Sequence, residues 1–144
     1  ILLPHYMQFE RPDCINTRDD LQCVYVFRAI LFVALCIAIR AGLARWVRGA
    51  SRSQLWYIGV ILLIQSLSFT LIYTYGLRKA GVETFGCPIW WNDMRPVHAI
   101  MYAIAAWFAI QGNGRHASTA LSVDVIVGMT AFAYFHAKRT QILL

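Results

Sequence analysis

Long apolar stretches that are nearly free of charge constrain the fold of this chain more than any other feature. Residues 27–39 carry a single charge, Arg28, and residues 55–75 carry none. Of the 144 residues, 59% are hydrophobic and only 14% are charged, whereas about a quarter of the residues of a soluble domain are charged. A water-soluble core of this size cannot hide so much apolar surface, so the composition indicates an integral membrane protein.

We predict an all-α membrane protein with four transmembrane helices, short loops and an N-terminal arm. Residues 1–22 form the arm, because Pro4 and Pro12 interrupt them and charged side chains are frequent. Residues 23–144 form the transmembrane domain, with predicted spans at residues 23–44, 55–75, 95–111 and 118–136. Each span is close to the roughly 20 residues that cross a bilayer as a helix, the last two being short.

Side chains at the predicted helix ends support these spans. Asn92 or Asp93 can cap the third span, which has Pro96 in its first turn, and Ser118 can cap the fourth. The connection at residues 40–54 contains four arginines and no acid, namely Arg40, Arg45, Arg48 and Arg52. The positive-inside rule therefore puts this connection and the turn at residues 112–116 on one face, and the arm and both termini on the other. The net charge of +6 then belongs to membrane loops, and no nucleic-acid partner is expected.

Three of the four cysteines lie on the arm side of this topology. Cys87 is able to bridge either Cys14 or Cys23, and the sequence does not choose between these pairs or a reduced state in which the cysteines act as small buried hydrophobes. The fourth, Cys36, lies within the first span. The chain has no C-x-x-C motif and no paired histidines, so we expect no metal site and no cofactor.

Three ionisable residues fall within the predicted spans: Arg28, His98 and Asp124. Each is a functional candidate, because insertion of a charge at the centre of a membrane helix costs about 2.5–3.5 kcal/mol. Arg28 lies near the arm-side surface, where it would contact lipid headgroups or a neighbouring protein. Counted along the spans, Asp124 lies much deeper than Arg28 or His98.

Gln65 on the second span lies at a depth similar to that of Asp124, so we predict that the two pack together as intramembrane polar partners. The alternative is that Asp124 serves transport, although the depth count places no second acid or histidine beside it. As a hydrogen-bond partner alone, Asp124 would tolerate replacement by asparagine, because such bonds between membrane helices contribute about 0.6 kcal/mol on average.

The most distinctive run joins Trp90 and Trp91 to Arg95, His98 and Tyr102. The tryptophans would anchor the chain at headgroup level, and the other three repeat at helical spacings of three and four on one face. We predict membrane-anchor or partner-contact roles for these residues, with Asp93, the arm or another subunit as partner of the polar face. His98 has no matched nucleophile or second ligand at its depth, so no catalytic site is expected.

This run, W-W-N-x-x-R-P-x-H-x-x-x-Y, together with D-V-I-V-G at residues 124–128 and His136, resembles small multi-span membrane proteins of large DNA viruses of the chlorella-virus and mimivirus kind. The resemblance covers residues 87–136. It implies a virion structural role: a minor capsid protein in the inner membrane, joining the bilayer to capsid proteins, with Arg95 and His98 in packing or contact.

We therefore predict a non-enzymatic structural membrane protein, a virion membrane component or minor capsid protein whose arm and loops anchor a larger assembly. Two alternatives stay open. One is an accessory subunit of an energy-transducing membrane complex, and the other is an ion channel or transporter protomer built around Asp124, Gln65 and Arg28.

Overall fold

The structure is a computed structural model that describes residue 30 and residues 32–78 and 90–142. Every regular element in these residues is helical, which confirms the predicted all-α class. The four α-helices are α1 (Ile39–Val47), α2 (Arg52–Thr74), α3 (Arg95–Ile110) and α4 (Gly114–Ile142). A π-helical segment (Phe32–Ala38) leads into α1, and a 3-10 turn (Trp90–Met94) leads into α3. The arm, Cys14, Cys23, Arg28 and Cys87 lie outside the described residues.

Helix α2 begins before the predicted start at residue 55 because Ser51 and Gln54 form a capping box. The Ser51 hydroxyl accepts from the Gln54 backbone N–H, and the Gln54 side-chain oxygen accepts from the Ser51 N–H at 2.9 Å. At the other end Gly76 has a positive φ of 59°, and Leu77 N–H donates to the Ile72 carbonyl at 3.2 Å. This Schellman arrangement ends the helix one residue before the predicted boundary.

Helices α3 and α4 form an antiparallel hairpin around Gly112. Gly112 has a φ of 79°, and the N–H of Asn113 donates to the Phe108 carbonyl at 2.9 Å, which closes α3. The Asn113 side-chain oxygen then accepts from the His116 N–H at 3.2 Å and caps α4. The predicted cap at Ser118 is therefore wrong: Ser118 is a buried residue inside α4.

The helices contact one another in the order α1, α4, α3, α2, with α2 on α3 forming the most extensive interface. Small residues allow the close approaches. A Cβ at Gly59 would lie 2.6 Å from Ile110 Cγ1, and one at Gly114 would lie 2.6 Å from the Val47 carbonyl oxygen. Ser66 donates to the Ala99 carbonyl at 2.7 Å across the α2–α3 interface. Interfaces of glycine, alanine and serine are typical of membrane helices.

Two helices are long and apolar enough to cross a membrane, Arg52–Thr74 and Gly114–Phe135. Only 28% of the most apolar window of each is buried, which differs from the core helix of a soluble protein, where most of the surface is covered. The π-helical segment with α1 and the helix α3 each comprise 16 described residues, 7 and 9 in the first case, which is fewer than the roughly 20 residues that cross a bilayer. Four complete spans are therefore not confirmed.

Candidate functional site

The centre of the helix assembly contains three polar side chains from three helices, Arg40 of α1, His98 of α3 and Asp124 of α4, which we call the ion cluster. Asp124 is 0% exposed. Arg40 Nη1 donates to Asp124 Oδ2 at 3.0 Å, and His98 Nδ1 forms a hydrogen bond with the other carboxylate oxygen, Oδ1. Both oxygens of the buried carboxylate are thus occupied by nitrogen groups.

The chemistry of the ion cluster follows from which atoms are able to donate. An ionised carboxylate only accepts hydrogen bonds, so the hydrogen in the contact with Asp124 lies on His98 Nδ1. Arg40 Nη1 also lies 3.3 Å from His98 Nδ1, and this approach is a close contact between two donors. With a neutral imidazole the three groups carry no net charge, whereas a second proton on the ring gives the cluster a charge of +1.

Aromatic rings cover the ion cluster on the side of α2 and α3. The Arg40 guanidinium carbon lies 5.5 Å from the centre of the Tyr102 ring, within the range of a cation–π contact. Phe69 stacks on Tyr102 with 5.7 Å between ring centres and lies 6.3 Å from the His98 ring. Gly128 of α4 adjoins the imidazole, because a Cβ built there would be 3.6 Å from His98 Cε1. The charges therefore lie in a low-dielectric environment, where their interaction is strong.

The α3–α4 hairpin explains why His98 meets Asp124. His98 precedes Gly112 by nearly the same number of residues as Asp124 follows it. In an antiparallel pair such positions lie at the same level, one helical rise per residue from the turn. The predicted difference in depth between His98 and Asp124 is therefore wrong, since it was measured from span ends at residues 95 and 118 instead of from the turn.

Two other sequence-based expectations are also corrected here. Among the described side chains Asp124 pairs with Arg40 and His98, whereas Gln65 is exposed on α2. Arg40 was assigned to a basic loop, but it belongs to α1 and its side chain, only 21% exposed, points into the helix assembly. Arg40 follows directly on an apolar run and lies one turn inside the predicted first span. This position indicates that Arg40 belongs to a helix.

Arg95, His98 and Tyr102 share the buried face of α3, as their spacing indicates. Arg95 is 4% exposed; one of its nitrogens, Nη1, donates to Asn92 Oδ1 at 2.7 Å and to the Arg78 carbonyl at 3.2 Å. Asn92 thus binds a guanidinium and leaves the start of α3 without a side-chain cap. Both of these contacts lie within the chain, so Arg95 is bonded to the segment that precedes its own helix.

The remaining predicted residues are placed as follows. Trp91 is half-buried in the 3-10 turn, the side chain of Trp90 lies outside the described part of the chain, and Cys36 is half-buried in the π-helical segment. The described residues contain no group of three or more histidine, cysteine or acidic side chains able to hold a metal ion.

Three comparisons, with protein-family models, with curated proteins and with solved structures, found no match to this chain.

Proposed function

We propose that this chain is a multi-pass membrane protein with a structural role, in which the ion cluster holds the helices in register and the apolar outer faces contact lipid or partner helices. The observation that carries the proposal is the distribution of polarity. Large apolar side chains such as Ile61, Ile64, Trp107, Ile126 and Met129 are exposed, while Asp124, Arg95 and His98 are buried. A protein in water has the opposite arrangement.

Exposed aromatic residues at both ends of the helices support a membrane position. Trp46, Trp56, Tyr57 and Trp107 lie near the turns that connect α1 to α2 and α3 to α4. Tyr73, Tyr75 and Tyr134 lie toward the opposite end. Tryptophan and tyrosine are enriched at the two interfaces of a bilayer, so the two groups mark two headgroup levels.

The closed geometry of the ion cluster favours a structural role over transport. Both carboxylate oxygens of Asp124 are bonded, and Asp124 is 0% exposed. An ion pathway needs a water-filled route to its charged group, whereas a register lock needs only complete pairing.

The test begins with membrane integration. The full chain should stay in the membrane pellet after alkaline carbonate extraction and should enter solution only with detergent. Release by carbonate would contradict the proposal. Reconstituted in liposomes, the purified chain should pass neither protons nor alkali cations above the rate of empty liposomes.

The narrower proposal, a virion inner-membrane or minor capsid protein, is supported by the resemblance at residues 87–136. Mass spectrometry of the proteins that copurify in mild detergent tests it. Capsid proteins among them would support the virion role, and subunits of a respiratory-type complex would support the accessory-subunit alternative.

A proton-coupled channel or transporter is the second candidate, and one observation favours it. His98 lies directly against Asp124, so the buried carboxylate has a titratable neighbour at its own depth. Proton flux in liposomes that is abolished by both Asp124→Asn and His98→Gln would establish this candidate and refute the purely structural role.

A further inference from the structure

A groove between α1 and the first turns of α4 runs from a basic mouth near the turns toward an apolar interior. We call it the basic groove. It is lined by Ala41, Ala44, Arg45, Arg48, Ser118, Ser122, Val125 and Ile126. None of these residues belongs to the ion cluster, so the basic groove is a separate feature of the fold.

The mouth of the basic groove carries positive charge that the described residues do not neutralise. Arg45 and Arg48 are one helical turn apart and exposed, and no described acid pairs with either. The acids in the described part of the chain are Asp124, which belongs to the ion cluster, and Asp93, at the other end of α3. Two adjacent guanidinium groups without a paired acid are complementary to a phosphate in charge and in hydrogen-bond geometry.

Hydroxyl groups extend the polar part of the groove. Ser118 is buried to about nine-tenths, with 9% exposed, and its hydroxyl makes no hydrogen bond within the described residues. Ser122 lies one turn further along α4 and donates to the Ser118 carbonyl at 2.8 Å. A buried hydroxyl without a partner is unfavourable, so Ser118 indicates a ligand with an acceptor atom at this position.

Beyond the serines the groove becomes apolar. Ala41 and Ala44 on α1 lie away from the turn, and Val125 and Ile126 line the same stretch on α4. The small alanine side chains leave room along this surface for a hydrocarbon chain. Trp46, 51% exposed between the two arginines, lies at the same level as the mouth, where an interfacial tryptophan is expected.

We propose that the basic groove binds one anionic phospholipid, with its phosphate between Arg45, Arg48 and the Ser118 hydroxyl and one acyl chain along Ala44 and Val125. The inference rests on the proposed membrane location. Basic pockets between membrane helices bind anionic headgroups. A zwitterionic headgroup balances the phosphate charge with its own ammonium group, so the groove selects against it.

The test is native mass spectrometry of the full chain in detergent, titrated with phosphatidylglycerol or phosphatidylcholine. We expect a one-to-one adduct with phosphatidylglycerol at concentrations at which phosphatidylcholine gives none. Arg45→Gln with Arg48→Gln should weaken the adduct by roughly thirty-fold, since each basic residue contributes about five- to sixfold near a membrane surface. Arg52→Gln with Arg115→Gln is the matched control, because it removes the same charge at the same end outside the groove.

A general surface attraction would make both double variants lose binding equally, and that result would overturn the proposal. Ser122→Leu fills the groove from an exposed position without changing charge, so it should also weaken the adduct; unchanged binding would overturn the site. Inorganic phosphate at the concentration of the lipid should not displace it. Displacement would assign the mouth to a free anion instead.

Helical circular dichroism of each variant shows that loss of binding is not loss of folding. Carbonate extraction is scored separately. A chain that stays in membranes but binds both lipids equally refutes the lipid site alone, whereas a chain released from membranes refutes the proposed function.

Discussion

Asp124 depends entirely on two side chains, because it has no exposed surface through which water can stabilise its charge. Arg40 supplies the opposite charge and His98 supplies a second hydrogen bond. Removing one partner of a buried ion pair leaves the other charged and unpaired, which typically destabilises a protein by about 3–5 kcal/mol. Removing one partner of the pair therefore changes the free energy of unfolding more than formation of the intact pair contributes to it.

We expect Asp124→Asn to lower the free energy of unfolding by about 3 kcal/mol, because Arg40 then lies beside a neutral amide. This exceeds the modest effect predicted from the sequence, which assumed an uncharged partner at Gln65. Unfolding of the detergent-solubilised chain, followed by helical circular dichroism, measures the change. Ser122→Ala, an exposed position on the same helix, is the control and should stay within about 0.5 kcal/mol.

The double variant Arg40→Met with Asp124→Leu replaces both charges with apolar groups of similar size. It should be more stable than Asp124→Asn, because no buried charge is left without a partner. A double variant whose loss equals the sum of the two single losses would show that the side chains do not interact.

The Tyr102 ring, and not its hydroxyl, is expected to stabilise Arg40. Tyr102→Phe keeps the ring 5.5 Å from the guanidinium and should change stability by less than about 0.5 kcal/mol. Tyr102→Leu removes both the cation–π contact and the stacking on Phe69, and should lower stability by about 1–3 kcal/mol. Equal losses in the two variants, measured by the same unfolding assay, would assign the effect to the hydroxyl.

At the residue scale the sequence predicted that Arg95, His98 and Tyr102 share one face of α3, but it predicted neither the burial of this face nor its partners. Arg95, His98 and Tyr102 repeat at helical spacing, and that pattern is local. The pairing of Asp124 with Arg40 is a tertiary contact between residues far apart in the chain, so no local pattern specifies it. The sequence is sufficient to predict that His98 and Asp124 lie at the same height along the helices, because they are nearly equally far from the turn at Gly112.

At the scale of the element, helix α2 packs closely against α3 only because residue 59 is a glycine, which has no side chain. We expect Gly59→Ala to lower stability by about 1–3 kcal/mol, since its Cβ would lie 2.6 Å from Ile110 Cγ1 and 3.1 Å from the Ala106 carbonyl oxygen. The unfolding assay should show this loss as a lower midpoint.

Gly42→Ala in α1 is the matched control for this substitution. A Cβ there meets nothing within 4 Å, and alanine is a better helix former than glycine, so stability should stay equal or rise by up to about 1 kcal/mol. A similar loss in both variants would mean that backbone propensity, and not the α2–α3 contact, explains the effect.

The sequence predicted the helices more accurately than their ends. The apolar content of the sequence identifies α2 and α3 to within a few residues, because a segment that is buried or contacts lipid along its whole length must be apolar throughout. The starts of α2 and α4 were missed because a capping box at Ser51 and a cap at Asn113 act over three residues only. Asparagine and serine are about equally favourable N-caps, so cap preference alone does not distinguish Asn113 from Ser118.

At the scale of the whole molecule, both ends of the helix assembly are basic, and only the end opposite the turns contains an acid, Asp93, beside Arg78, Arg95, Lys138 and Arg139 in the described residues. The end with the α1–α2 and α3–α4 turns carries Arg45, Arg48, Arg52 and Arg115, and no acid lies there among the described residues. For the proposed membrane protein we therefore predict, from the absence of acids at the turn end among the described residues, that this end faces the cytosol or its equivalent.

Cysteine labelling tests this orientation in a chain whose four native cysteines are replaced by serine. Ser53→Cys and His116→Cys, both at exposed positions near the turns, should react with an impermeant maleimide from one side of the membrane. Thr74→Cys, exposed at the other end of α2, should react only from the opposite side. Labelling of Ser53→Cys and Thr74→Cys from the same side would show that α2 does not cross the bilayer.

If the chain spans a membrane as proposed, the pairing within the ion cluster also affects how a transmembrane voltage acts on the protein. Arg40 and Asp124 carry opposite charges 3.0 Å apart, so with a neutral His98 the field exerts no net force on the cluster. In the proposed membrane position a voltage therefore acts on the charged side chains outside the ion cluster, such as Arg95, and not on the paired charges that join α1 to α4.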